Sequence, residues 1–205
     1  MSLLLVRHGE TALNVARTLQ PADTPLSDNG LRQAALLAER IATRRPAAIV
    51  SSPLPRAWQT AQAIAQATGL RVDALDVLQE RHFGSLRGQP YDHLGFDPLR
   101  MTEAPPGGGE SLAAFHARVD AAWAELTARQ SGLAGALVVV THGLVLRAWL
   151  DRRLHLPPGL ALDGPLGNTA LTVCAAVAPH TAELVNCTAH LSAGSAHATG
   201  SLVGG

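Results

Sequence analysis

Leu3 to Val6 is an unbroken apolar run that stops at Arg7-His8-Gly9-Glu10. A short run with no polar alternation predicts a strand buried on both faces. Ser27-Asp28-Asn29-Gly30 then supplies a helix start, and Leu31, Ala34, Ala38 and Ile41 recur at helical spacing until Arg44-Arg45-Pro46 ends the pattern. Ala47 to Val50 predicts a second buried strand. Pro53 and Pro55 suit the first turn of the next helix, which Ala57, Ala61, Ile64 and Ala65 continue and Gly69 stops. Arg71 to Asp73 reads as another short strand.

The pattern breaks between His82 and Gly109, where Gly, Pro and polar residues dominate; this predicts a loop-rich, lid-like insertion over one face. Helical spacing returns with Leu112, Phe115, Val119, Ala122 and Leu126. Leu137 to Val140 predicts a strand, Gly143 to Leu154 a helix broken by Pro157-Pro158-Gly159, and Ala170 to Val177 and Ala182 to Val185 the last strands. From Leu191 the chain is rich in Ala, Gly and Ser, so a pliable tail is expected over 191–205 behind one domain of residues 1–190. Strands alternating with helices predict a three-layer α/β/α fold with a mostly parallel sheet.

Ligands of such sheets sit beyond the carboxyl ends of the strands. Three ends stand out: Arg7-His8 after the first strand, Ser51-Ser52-Pro53 with Arg56 one turn on, and Thr141-His142-Gly143. If those strands are neighbours, two arginines and two histidines meet at one sheet edge. That cationic set suits a phosphoryl group, because the guanidinium fork matches phosphate oxygens and a neutral imidazole is a competent nucleophile. A carboxylic acid is needed for the leaving oxygen, and Glu80, at the edge of the insertion, is the candidate. Glu10 is the rival and is read as structural.

Composition narrows the rest. Of 205 residues, 47% are apolar and 16% charged, which excludes a disordered chain. Sixteen cations balance sixteen acids, so nothing points to nucleic acid or an anionic membrane, and every cation is an arginine. No apolar run has membrane-spanning length, and the start is too short for a signal segment, so a cytoplasmic protein is expected. Cys174 and Cys187 make neither a disulfide framework nor a zinc cluster, and the remaining histidines lack paired ligand spacing.

Leu5-Val6-Arg7-His8-Gly9-Glu10-Thr11 resembles the signature of the histidine phosphatase superfamily, the phosphoglycerate mutase-like proteins. Further blocks are similar and stand in the same order: Gln20 with Asp23-Thr24-Pro25-Leu26-Ser27, Ser51 to Ala57 with Gln59-Thr60-Ala61, Glu80 to Gly84, Gly109-Glu110-Ser111, Val140 to Gly143, and Asn168-Thr169. The resemblance implies that His8 takes the phosphoryl group, that Arg7, Arg56 and His142 bind its oxygens, and that Glu80 is the acid and then the base. It implies Asn14 as a further phosphate donor and neither metal nor cofactor; Gln20 and Thr11 are read as further phosphate or substrate contacts, and Arg81, His82, Arg87 and the loop to Gly109 as the residues that set substrate choice. The implied partner is a small phosphorylated substrate; a homodimer stays open.

Two positions depart from the family pattern: Pro21, where Gly is usual, and Arg87-Gly88, where many members carry Glu-Gly. Neither is read as touching the chemistry. The expected activity is a phosphomonoester phosphatase. A cofactor-dependent phosphoglycerate mutase and an inactive phosphate-binding module are the alternatives. The mutases carry a longer, lysine-bearing insertion, whereas Arg81 to Gly108 here is short and has no lysine.

Overall fold

The computed structural model describes residues 1–162 and 164–193. Its centre is a six-stranded sheet of order β3-β2-β4-β1-β5-β6. The strands are β1 (Ser2–Arg7), β2 (Ala48–Ser51), β3 (Val72–Ala74), β4 (Leu137–Thr141), β5 (Leu171–Ala175) and β6 (Ala182–Cys187). The first four in chain order run parallel, while β5 is antiparallel to both β1 and β6. The helices are α1 (Ala12–Val15), α2 (Asp28–Ala42), α3 (Pro55–Thr68), α4 (Leu112–Ser131), α5 (Gly143–Arg152) and α6 (Ala189–Ala193).

Alternate residues of the central strands feed two cores. Leu3, Leu5, Val50 and Val139 pack with Phe115, Val119, Trp123 and Leu126 of α4 and Trp149 of α5. Leu4, Val6, Ile49, Val138 and Val140 pack on the other face with Leu37 and Ile41 of α2 and Ala57, Ala61 and Ile64 of α3. Side chains that point to opposite faces and are apolar at both explain why these strands read as unbroken runs. The result is the three-layer α/β/α arrangement.

Differences from the expected elements are local. The third strand is Val72–Ala74, one residue later than the pattern suggested, and β5 is shorter at both ends. The helix after β4 stops at Arg152 rather than running to Leu154. Helix α1 was hidden because it is four residues long, too short for a periodicity; Thr11 caps it by accepting from the Asn14 N–H. Leu191 to Ala193 lie in α6 rather than in a tail, and residues 194–205 lie outside the described part.

The insertion is more tightly fastened than its composition suggests. It folds into single 3₁₀ turns at Gly84–Leu86, Tyr91–His93 and Pro98–Arg100. Phe83, Leu86 and Tyr91 close on Leu19, with Leu94, Leu99, Met101 and Leu144 against them. Backbone bonds between Leu19 and Gln89, Gly88 and Leu19, and Tyr91 and Arg17 tie it to the β1–α2 connection.

Candidate active site

Strands β2, β4 and β1 are parallel neighbours, so their carboxyl ends meet at one edge. The His8 N–H donates to the Thr141 carbonyl and the Ser52 N–H to the Val140 carbonyl, which extends the ladder into the three loops. This brings His8, Arg7, His142 and Arg56 together. The two imidazole centroids are 5.3 Å apart. All four side chains are essentially inaccessible.

His8 Nδ1 lies 2.7 Å from the carbonyl of Gly9. A carbonyl only accepts, so Nδ1 carries the proton and Nε2 presents its lone pair. Nε2 is buried and has no hydrogen-bond partner among the described residues. Burial first, then the Arg56 and Arg7 guanidiniums, hold this imidazole's pKa well below its ordinary value, so the ring is neutral. The backbone of His8 is held too: its carbonyl accepts from the Thr169 N–H and from Asn168 Nδ2.

His142 caps the N-terminus of α5, with Nε2 2.8 Å from Ser52 Oγ and Nδ1 buried without a partner among the described residues. It is likewise kept neutral by burial, then by Arg56 and His8. Arg56 stands in the first turn of α3 behind Pro55, and its Nη1 donates to the Pro21 carbonyl at 3.3 Å. Arg7 donates from Nη1 to the carbonyl of Leu166. Burial lowers both guanidiniums to about 10, which leaves them charged at neutral pH.

Glu80 belongs to the same cluster and is 3% exposed. One carboxylate oxygen accepts from the Arg81 N–H at 2.9 Å, the other from the Leu144 N–H in the first turn of α5 at 3.0 Å. Burial outweighs these bonds and the nearby arginines, so its pKa is raised. Its position is set by Arg118 of α4. That guanidinium donates to the carbonyls of Val77 and Gln79, just before Glu80, and pairs with both carboxylate oxygens of Glu110.

The remaining expected contacts divide. Thr11 Oγ1 donates toward Gln20 Oε1 at 2.7 Å and lies 3.1 Å from Asn14 Oδ1, while Asn14 Nδ2 is 3.5 Å from Asn168 Oδ1. Gln20 Nε2 is buried with no partner among the described residues. Arg81 leaves Nη1 buried without a partner among the described residues and uses its other donors as a brace. Its Nε and Nη2 donate to the carbonyls of Glu110 and Met101, and its guanidinium lies over the Phe83 ring, so it braces the insertion. His82 is exposed and uses Nδ1 to accept from the Gly84 N–H. Glu10 holds Ser27 and Asn29 at the start of α2, as a structural carboxylate would.

The two departures sit closer to the site than their positions implied. Pro21 supplies the carbonyl that Arg56 grips. Arg87 is half-buried within electrostatic reach of Glu80 and Arg56. Sequence reasoning missed the roles of Ser52 and the Leu166 carbonyl; the serine lay inside a quoted block, but a backbone carbonyl carries no residue signal. It also missed His190 of α6. That imidazole lies 3.0 Å from Thr169 Oγ1 and 3.2 Å from Arg40 Nη1.

A family model of the histidine phosphatase superfamily, branch 1, matches residues 3–187. The chain belongs to this superfamily. A probable phosphoglycerate mutase GpmB of Yersinia enterocolitica is 36% identical over 167 residues, 77% of each chain. A solved mycobacterial glucosyl-3-phosphoglycerate phosphatase, in complex with VO3, superposes with TM-score 0.72 at 33% identity. It covers 85% of this chain and 90% of its own. The α-ribazole phosphatase of Shigella flexneri superposes with TM-score 0.78 at 25% identity, covering 92% of this chain and 97% of its own. The two solved structures are thus named phosphatases, while the sequence relative carries a mutase name. Among the described residues no helix is long and apolar enough to cross a membrane, and no cluster of three or more His, Cys, Asp or Glu could hold a metal.

Proposed function

We propose that this histidine phosphatase hydrolyses small phosphomonoesters through a phosphohistidine at His8, with Glu80 as acid and base. The observation that carries the reading is the buried group of unpartnered polar atoms: His8 Nε2, His142 Nδ1, Arg56 Nε and Gln20 Nε2. Buried polar atoms ordinarily find partners, and a cluster that does not is shaped for something that supplies them. A tetrahedral dianion offers the acceptors these donors lack and an electrophilic centre for Nε2.

In the first step the Nε2 lone pair attacks phosphorus and the bond from phosphorus to the ester oxygen breaks. The Glu80 carboxyl gives its proton to the departing alkoxide. In the second step the Glu80 carboxylate takes a proton from water, the water oxygen attacks phosphorus, and the bond from nitrogen to phosphorus breaks. Arg7, Arg56 and His142 stay in place and meet the charge on the transferring oxygens. With Ser52 donating to His142 Nε2, the His142 Nδ1–H is the donor aimed at them. Asn14, Gln20 and Thr11 complete the cradle. Two fixed guanidiniums supply the charge that other phosphoryl-transfer sites draw from metal ions, so chelators should leave the rate unchanged.

Incubation with a radioactive phosphoester, rapid quenching and gel analysis tests the reading. The wild-type chain should carry acid-labile label, and His8→Ala should carry none and lose activity at least roughly 10⁴-fold. Label retained in His8→Ala would assign the nucleophile elsewhere. Binding of phosphate without hydrolysis of any ester would favour a non-catalytic module.

The names of the sequence relatives favour a second reading, a mutase that returns the phosphoryl group to its substrate. Arg100 and Arg147, which border the cavity beside Arg7, are both exposed, so the cavity admits water, which favours hydrolysis. Interconversion of 2- and 3-phosphoglycerate with little phosphate release would decide for the mutase.

A further inference from the structure

A cavity of about 570 Å³ is bordered by Arg7, the one member of the proposed phosphate cluster among its described lining residues. It lies between the insertion, the first turns of α5 and the α5–β5 connection. That volume holds a body well beyond a three-carbon acid. Its walls are mostly aliphatic: Leu99, Leu144, Leu162, Pro165 and Leu166. A second hollow of about 270 Å³ shares Leu99 and Leu144 with it and continues along α4 over Leu112 and Phe115.

The charges at its margin are already answered. Arg147 pairs with Asp151 at 2.9 Å and Arg100 with Asp97 at 3.3 Å, both on the exposed surface. Arg81 lines only the smaller hollow; its Nε and Nη2 donate to two carbonyls, and its Nη1 is buried without a partner among the described residues. Arg87 is not among the residues that line the larger cavity. Apart from Arg7, which belongs to the phosphate cluster, each arginine among the described lining of the larger cavity has an acidic partner, which leaves little for a carboxylate on the alcohol side. That lining also offers few side-chain partners for a polyol, whose hydroxyls would lose water without replacement.

We infer that the leaving alcohol has an uncharged, apolar body, such as a fused ring or a medium alkyl or acyl chain. The inference rests on the phosphatase reading of the same site. It sets this protein apart from a catalyst for compact, anionic esters such as phosphoglycerate or phosphoserine. The phosphoryl group would sit on His8, and the alcohol oxygen would lie by Glu80. The carbon skeleton would extend past Leu144 toward Leu99 and Leu162.

A homologous series of n-alkyl phosphates, from ethyl to octyl and below the micellar concentration, isolates the effect because its leaving groups are almost equally basic. Each added methylene should raise kcat/KM by roughly two- to fourfold until the cavity is filled. Hexyl phosphate should exceed 3-phosphoglycerate at least roughly tenfold. In Leu99→Asn and Leu162→Asn the rise per methylene should flatten. A flat or falling series, or a preference for 3-phosphoglycerate, in an enzyme that still labels at His8 would overturn the apolar-alcohol inference alone. No hydrolysis and no label with any ester would overturn the phosphatase reading beneath it.

Discussion

The Gly9 carbonyl at His8 Nδ1 and two buried guanidiniums do different work on one imidazole. The carbonyl selects the tautomer, and the burial and positive charge keep the ring from taking a second proton. The proposed nucleophile is therefore neutral even in mild acid. Glu80 is shifted the other way, because a carboxyl pays for burial by holding its proton. Opposed shifts at the two groups suit the proposed division into nucleophile and acid. In kcat/KM the acidic limb from His8 should lie well below pH 6.5, whereas the rate on alkyl phosphates should fall as pH rises through the raised pKa of Glu80. Glu80→Gln should cut kcat/KM on alkyl phosphates by about 10²- to 10⁴-fold and on activated aryl phosphates far less. Equal losses on both would show that Glu80 does not protonate the leaving group.

At the scale of elements, three parallel strands aim their ends at one point, but Glu80, the proposed acid, is delivered by a different route. Leu78 accepts from Thr141 Oγ1 at 2.7 Å, and Arg118 of α4 holds the carbonyls on either side of it. Arg118 is thus a positioning residue. Arg118→Met should lower kcat on alkyl phosphates about tenfold with a smaller effect on aryl phosphates, and Arg118→Lys should recover part of it. A loss independent of the leaving group would mean that the pair with Glu110 serves stability alone.

The β1–α1 loop is also pressed onto α2. A Cβ at Gly30 would stand 2.0 Å from the Glu10 carbonyl oxygen, a backbone atom that cannot swing aside. Gly30→Ala should therefore destabilise the chain by about 2 to 3 kcal/mol. In a domain of this size that is a fall in Tm of roughly 5 to 10 °C, measurable by calorimetry. An unchanged Tm would show that the loop yields.

For the whole molecule, three buried imidazoles govern behaviour in acid. His8 and His142 lie well below the ordinary value, and burial followed by Arg40 lowers His190 to about 4. The unfolded chain binds these protons near pH 6.5 and the folded chain does not, so stability is present above 6.5 and is lost as pH falls toward the folded values. Tm should drop from pH 7 to pH 4.5, and the drop should shrink in His190→Gln. A Tm that stays level over that range would contradict the neutral state of these rings.

The two-faced strands, the helices α2 to α5 and the order Arg7-His8, Arg56, Glu80, His142 were legible along the chain. Periodicity and short-range motifs depend on neighbours a few residues apart. What the chain could not show is who meets whom across it: Arg7 with the carbonyl 159 residues on, His142 with Ser52 90 residues back, His190 behind Thr169. Arg81 looked like a substrate contact because its type and place suited one. Only the packing of the insertion reveals that two carbonyls take its Nε and Nη2. The amino-acid order by itself determined the fold class and the chemical groups at the sheet edge. Tertiary structure decided their protonation and the character of the cavity beside them, because dielectric burial and cavity shape arise only where distant segments close on one another.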